Sequence, residues 1–295
     1  MATIRKRTVG KKQYYYLEHT LKIGRRTKKK EKYLGKEIPK NIEKIKADFL
    51  NELYKEKWFK KLDNLKNNFS KEFRQMPKIA KERYIQNFLV KFTYDTNKIE
   101  GSKITLKETA RLLEEGTAPS NKPLKDIKET EAHKKVFLHM LSYKKDINLD
   151  VVLYWHKLLF QESESEIAGK IRRHGVAIAG SKAEFPLPAE LDILLKEFFR
   201  WYGNNKRLLH PVELAALAHL KFVSIHPFSD GNGRISRIIM NFILNKHKFP
   251  MLNIEYSNRA GYYTALERSQ VKKIEQIFVN YIIKRYLKEY SDYIA

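Results

Sequence analysis

The residues from His226 to Arg237 read His-Pro-Phe-Ser-Asp-Gly-Asn-Gly-Arg-Ile-Ser-Arg and bring an imidazole, a carboxylate and two guanidinium groups into one short stretch. His226 can take a proton near neutral pH, and Pro227 restricts the backbone beside it. Asp230 supplies hard oxygen atoms of the kind a divalent cation prefers. In Gly231-Asn232-Gly233 the glycines carry no Cβ, so main-chain amides can close on an anion. Arg234 and Arg237 are spaced i, i+3 and share one face of the helix expected to begin here. The chemistry these types imply together is phosphate handling beside a general base. His226-Pro227 alone would read as a helix-initiating loop with a packed histidine, and the complete set outweighs that reading.

The chain that must position these groups has 295 residues, enough for one large domain or a main domain with an appendage. It has no cysteine, which excludes disulfides and thiolate metal sites and fits a reducing cytoplasmic compartment. No apolar run approaches the ~18 residues that would span a bilayer, and the N-terminus carries no apolar signal segment, so no membrane partner is expected. The net charge of +25 is uneven: residues 1–40 hold 14 Lys and Arg against 3 Asp and Glu, and residues 41–85 hold 12 against 7. A field of that sign attracts polyanions without reading their sequence, although a solvated basic surface is the plainer account.

The expected fold is mainly α. Residues 1–38 form a small basic β-rich module, with a strand from Tyr14 to Leu21, a turn at Gly24 and a return at Lys32–Leu34. Its interleaved tyrosines and cations suit a nucleic-acid-binding platform and faintly resemble the N-terminal modules of some transposases and integrases. Residues 39–84 read as helical linkers, with Ile42, Ile45, Phe49, Leu53, Trp58, Phe59, Leu62 and Leu65 on an apolar stripe that Pro77 breaks. Residues 85–295 form the main body. A helix over about 79–100 stops at Gly101, leaving Glu100 at a helix C-terminus where the dipole disfavours an acid by about 0.3–1 kcal/mol. Thr105 and Glu108 predict a capping box, and Asp150 a further N-cap. Helices over about 126–143, 151–161 and 212–224 lead to His226, and three more follow it. One β-hairpin interrupts them within 169–185. Gly175–Lys182 imitates a P-loop, but Ser181-Lys182 inverts the required order and prolines replace the following helix, so that reading is rejected. His133, His156, His210 and His219 lack metal-ligand spacing and are read as packing residues.

With these residues in view, His226 to Arg237 matches the signature HPFx(D/E)GNGRxxR, and the chain resembles the Fic (Fido) domain family. The resemblance implies a Fic-type helical bundle with a β-hairpin flap. It also implies a protein adenylyltransferase that moves AMP from ATP to a Ser, Thr or Tyr hydroxyl in an extended segment of a target protein. His226 would be the base, Asp230 would hold Mg2+, Gly231, Asn232 and Gly233 would cradle phosphates, Arg234 would face the β-phosphate and Arg237 the γ-phosphate. Gly233 stands where kinase-like relatives carry lysine, which favours nucleotidyl transfer, with UMP or another donor still open. Val176, Ala177, Ile178 and Ala179 look like the flap that clamps the target by strand addition. Tyr262 and Tyr263 look like neighbours of the adenosine, while Gln270 departs from the asparagine of some relatives.

A second family element lies upstream. Thr96-Asn97-Lys98-Ile99-Glu100-Gly101 resembles the inhibitory pattern (S/T)xxxE(G/N) of relatives with an N-terminal inhibitory helix. It implies that Glu100 pairs with Arg237 and holds the enzyme off, or aligns a water to remove AMP from a modified target. A homodimer fits the resemblance, although no unpaired apolar stripe demands one. The alternative function is a nucleic-acid-associated regulator whose Fic body mainly binds nucleotide.

Overall fold

The computed structural model describes residues 2–23, 26–178 and 180–294. These fall into two compact units, residues 1–61 and 62–295. The first opens with a three-stranded antiparallel sheet ordered β1 (Thr3–Val9), β2 (Lys12–Ile23), β3 (Arg26–Gly35). Strand β1 carries Arg5, Lys6 and Arg7 with no apolar alternation, which is why sequence pattern alone yields no strand there. Its pairing is imposed by β2, with Ile4 opposite Leu17 and Arg7 opposite Tyr14 across the two-residue turn Gly10-Lys11. The turn expected at Gly24 lies outside the described residues. Leu17, Phe49 and Trp58 are buried in this unit.

Instead of several linking helices, a single helix α1 (Ile42–Gln75) runs unbroken, since no proline lies between Pro39 and Pro77. In the second unit follow α2 (Lys78–Ile99), α3 (Leu106–Glu115), α4 (Leu124–Ser142), α5 (Leu149–Phe160), α6 (Leu191–Asn205), α7 (Pro211–Ile225), α8 (Asn232–Lys246), α9 (Arg259–Lys272) and α10 (Gln276–Glu289). The Thr105–Glu108 capping box forms as expected. The cap of α5 is Asn148 rather than Asp150: its side chain accepts from the Val151 amide, and Asp150 falls inside the first turn. No helix of the described residues is long and apolar enough to cross a membrane.

Helices α7 and α8 are the centre of the second unit and pack against each other. Every residue of α8 from Arg234 to Leu244 is buried. Each fully buried Ile or Phe there, such as Ile235, Ile239 and Phe242, contributes about 1.5–3 kcal/mol. The short loop between these two helices is the stretch His226–Gly231, so its ends are held by the best-packed elements of the molecule.

Two polar ties fix the neighbours. Buried Asn241 of α8 accepts from the Leu252 amide at 2.8 Å and donates to the Leu252 carbonyl at 3.0 Å. Asp95 of α2 accepts from Asn253 Nδ2 at 2.5 Å and from the Tyr256 amide at 2.9 Å, joining the helix that carries Glu100 to the segment before α9. Asn241→Ala strands two buried main-chain groups and is expected to lower the unfolding free energy by about 2–5 kcal/mol, read from urea titration. A loss below about 1 kcal/mol would show that the tie is replaceable.

Candidate functional site

The first turn of α8 and the loop before it build the centre of the site. Helix α7 ends on His226, which has φ +51 and ψ 56, the left-handed conformation usually left to glycine. Holding a side chain there costs about 1–3 kcal/mol and directs the imidazole out of the helix end. Its Nδ1 lies 3.0 Å from the Val223 carbonyl. A carbonyl only accepts, so Nδ1 carries the hydrogen and Nε2 keeps its lone pair. Burial pushes the imidazole pKa below its usual value; the Val223 carbonyl opposes this and Arg172 reinforces it. His226 is therefore neutral at neutral pH, the form a proton acceptor requires.

The loop after it is closed by Asn232, whose side chain accepts from the Phe228 amide at 2.9 Å and donates to the Phe228 carbonyl at 2.7 Å. The side chain of Asn232 thus shapes the loop, and its main chain begins α8. Gly231 has φ +81, and a Cβ there would stand 2.5 Å from the Phe160 ring. Both constraints require glycine. At Gly233 a Cβ would stand 2.5 Å from Glu100 Oε1, so the absent side chain lets a carboxylate approach the start of the helix.

The two arginines have different surroundings. Arg237 is 1% exposed. Its Nε donates to Thr96 Oγ1 at 2.6 Å, Nη1 to the Tyr262 hydroxyl at 3.3 Å, and Nη2 to the Thr96 carbonyl at 3.3 Å and Glu100 Oε1 at 2.6 Å. Burial alone would lower its pKa, and Tyr262 and Glu100 more than offset that, so the guanidinium is held firmly charged. Arg234, equally buried, pairs with Glu129 through Nη1 and with Asp230 Oδ2 at 3.2 Å through Nη2, over the face of the Phe160 ring. Burial opposes its charge, and Glu129 and Asp230 restore it.

A cavity of about 770 Å3 gathers most of the expected groups: Glu100, Val176, Ala177, Ile178, His226, Asp230, Gly231, Asn232, Gly233, Arg237, Tyr262 and Tyr263 line it, and so does Gln270. Thr96 stands behind Arg237, and Arg234 faces a smaller pocket of about 150 Å3 with Gly101 and Glu129. Tyr262 is buried and Tyr263 half-exposed, its hydroxyl donating to the Ile99 carbonyl at 3.4 Å. Asp230 is the carboxylate carried by the loop itself, with Oδ1 accepting from the Gly231 amide. The described residues contain no cluster of three or more His, Asp or Glu able to hold a metal ion. That donor set fits a Mg2+ held by one protein carboxylate and otherwise by substrate phosphates and water.

The segment expected to form a hairpin contains no paired strands among its described residues. Prolines 186 and 188 follow it, and Ala179 lies outside the described residues. It is fastened instead by side chains. Glu267 of α9 accepts from the Lys182 amide at 2.7 Å and from Ser181 Oγ at 3.3 Å. Phe185 brings its ring within 4.2 Å of the His226 ring, centroid to centroid.

Sequence reading missed four positioning residues. Buried Arg172 donates at 2.7 Å to each of three carbonyls: His226 through Nε, His174 through Nη1 and Pro186 through Nη2. His156 accepts from the Gly169 amide at Nδ1, so its Nε2–H donates to the Asp230 carbonyl at 3.0 Å, and its ring stacks on Phe228. Burial lowers its pKa to about 4 and keeps it neutral. Glu129 and Glu267 are the others. An isolated Arg or Glu far from the motif carries no spacing signal.

Residues 146–244 match the profile of the Fic/DOC family. The chain is 30% identical over 225 residues to a "Protein adenylyltransferase Fic" of Nematostella vectensis, covering 75% of this chain and 51% of that one. It is 34% identical over 197 residues to the protein of the same name from Aedes aegypti, covering 65% and 38%. The chain thus spans about half or less of these relatives' length. Among solved structures it is similar to a Fic domain containing signaling protein from Bacteroides thetaiotaomicron, with TM-score 0.71, 26% identity and coverage of 78% of this chain and 95% of that one. It is also similar to residues 134–508 of Fic-1 from C. elegans, with TM-score 0.74, 26% identity and coverage of 86% and 76%.

Arg172→Ala is expected to cost about 3 kcal/mol in urea unfolding, because three carbonyls are left without a charged donor. It is also expected to move the ring signals of His226 in 1H–15N spectra, with Arg172→Lys recovering only part of both. Unshifted ring signals would show that the clamp does not position His226.

Proposed function

We propose that this chain, which carries a domain of the Fic/DOC family, transfers AMP from ATP to a hydroxyl of a protein target and holds that activity off with Glu100. One observation carries the reading: the Glu100 carboxylate lies on Gly233 and Arg237 at the start of α8, inside the cavity that His226 faces. A helix N-terminus with a buried arginine is a place for phosphate, and here the protein's own carboxylate holds it.

In the transfer, His226 Nε2 takes the proton of the target hydroxyl as its oxygen attacks the α-phosphorus. A bond forms from that oxygen to phosphorus, the bond from phosphorus to the bridging α,β-oxygen breaks, and pyrophosphate leaves with the electron pair. The main-chain amides of the Gly231–Gly233 turn and the α8 dipole favour the phosphates. Arg237 grips the γ-phosphate once Glu100 has moved, and Arg234, kept charged by Glu129, lends its field to the departing pyrophosphate. Mg2+ held at Asp230 would neutralise charge on the phosphates. The unpaired backbone from Gly175 to Ile178 suits an extended target segment, which would add hydrogen bonds where the flap has none of its own. Tyr262 and Tyr263, which line the cavity, would neighbour the nucleoside.

The Arg237–Glu100 pair competes with the γ-phosphate for the same donor. Glu100→Gly is expected to raise self-labelling with α-labelled ATP at least about tenfold, the equivalent of ~1.4 kcal/mol. Adding His226→Ala is expected to abolish it. No labelling of Glu100→Gly by any nucleoside triphosphate would sink the transferase reading.

The acid limb of the reaction tests the base. Protonation of His226 stops catalysis, and burial holds its pKa below the usual 6.5. In Glu100→Gly the rate is therefore expected to fall with decreasing pH only below 6.5, whereas a limb above that value would assign the titration to another group.

A further inference from the structure

The matched family profile, residues 146–244, does not account for residues 1–61. This unit holds 20 Lys and Arg against 7 Asp and Glu, an excess of +13 out of the chain's +25 in about a fifth of its length. The sheet gives this charge a shape. Register places Arg5 opposite Tyr16, Arg7 opposite Tyr14, and Tyr16 opposite Tyr33, so these side chains share one face, with Leu17 buried on the other. The cations stand on the two outer strands, Arg5 and Arg7 on β1 and Lys29 on β3, and the tyrosines lie between and beside them. Arg7 lies 4.6 Å over the Tyr16 ring.

The two acids on this face, Glu18 and Glu31, pair with all three of these cations, Arg5 Nε lying 3.5 Å from Glu18, and the cations outnumber them by one. Arg7 uses one nitrogen, Nη2, for both Glu18 at 2.7 Å and Glu31 at 2.5 Å. Lys29 meets the same two carboxylates at 2.9 and 3.2 Å. Surface pairs of this kind add little stability, but they hold flexible side chains in a fixed array.

We propose that this face of the β1–β2–β3 sheet binds duplex DNA, with Arg5, Arg7 and Lys29 on phosphates and the tyrosines toward the groove. The outer strands lie about 10 Å apart, two strand spacings, and the major groove of B-DNA is about 12 Å wide. Cations on both outer strands therefore meet phosphate backbones on both sides of the groove. Single strands need a row of open aromatic faces. Here Tyr14 and Tyr16 pack against Tyr33, at centroid distances of 6.2 and 5.3 Å, and only Tyr33, 55% exposed, is open. Duplex RNA has a major groove too narrow for a sheet to enter.

The test uses the full chain and fluorescence anisotropy with a labelled mixed-sequence DNA duplex of about 20 base pairs, over a salt series. Wild type is expected to bind with log K falling linearly in log salt. The triple variant Arg5→Ala/Arg7→Ala/Lys29→Ala is expected to bind at least about tenfold more weakly and to reduce the salt slope by roughly 0.9 for each phosphate it no longer neutralises. A control with equal charge removal on the helix of the same unit, Lys44→Ala/Lys60→Ala/Lys61→Ala, is expected to retain most of the affinity. Should circular dichroism show that the triple variant has lost its sheet, Tyr33→Glu replaces it under the same tenfold criterion. Absence of duplex binding, an equal weakening in the helix control, or equal or tighter binding of single-stranded DNA or duplex RNA would overturn the proposal. ATP labelling by Glu100→Gly is read in parallel and is expected to be unaffected, which keeps this result separate from the transferase reading.

Discussion

A guanidinium buried to 1% exposure has to be answered by acceptors, and the site follows from how Arg237 is answered. Its five N–H groups meet one hydroxyl and one carbonyl from Thr96, the Tyr262 hydroxyl, and the Glu100 carboxylate. Three elements supply these acceptors: α2, its C-cap and α9. Arg237 therefore fixes where α2 ends relative to the start of α8. Tyr262 passes the constraint on through its hydroxyl to buried His219 of α7, 3.0 Å away. His219 sits far below its usual pKa, through burial and then through Arg237, so this relay ends on a neutral ring and adds no competing charge.

Around that arginine the loop is shaped by main-chain geometry more than by charge. His226 occupies a left-handed residue at a helix end, Gly231 another, and Asn232 closes the turn between them with both ends of its amide. Arg172 and His156 grip the loop from outside, one at the His226 carbonyl and the other at the Asp230 carbonyl. Neither lines the main cavity. Each spends its hydrogen bonds on main-chain atoms, which is how a loop of six residues between two buried helices is kept from relaxing to a lower-energy turn.

Legibility in the sequence tracked how local the determining forces are. The helices of the main body were readable to within a few residues because caps and apolar periodicity are written in neighbouring positions, as at Thr105–Glu108 and Gly101. The strand Thr3–Val9 was not, because its cations satisfy no alternation and its fold depends on pairing with β2. The cap at Asn148 was misplaced by two residues, since Asn and Asp in sequence offer the same signal. The segment 169–185 has strand-like composition, but its partners are Arg172 and Glu267 side chains, which no periodicity reports. His226 to Arg237 was legible because its chemistry is concentrated in consecutive residues. Glu129 and Arg172 lie 105 and 54 positions from the residues they hold and leave no such mark.

The position of Glu100 explains why the proposed lock would be local. At the C-cap of α2 its charge opposes that helix's dipole by about 0.3–1 kcal/mol, while the start of α8 and Arg237 attract it. It is 26% exposed in its side chain, so solvent can receive the carboxylate when it turns away. Arg237 would then keep Thr96 and Tyr262 as partners and need only one new anion. A phosphate brings more charge than a carboxylate to the same helix end, and it arrives beside a glycine with no Cβ to obstruct it. On the proposed reading the exchange would require only the Glu100 side chain to rotate, with the buried arginine kept in place by Thr96 and Tyr262.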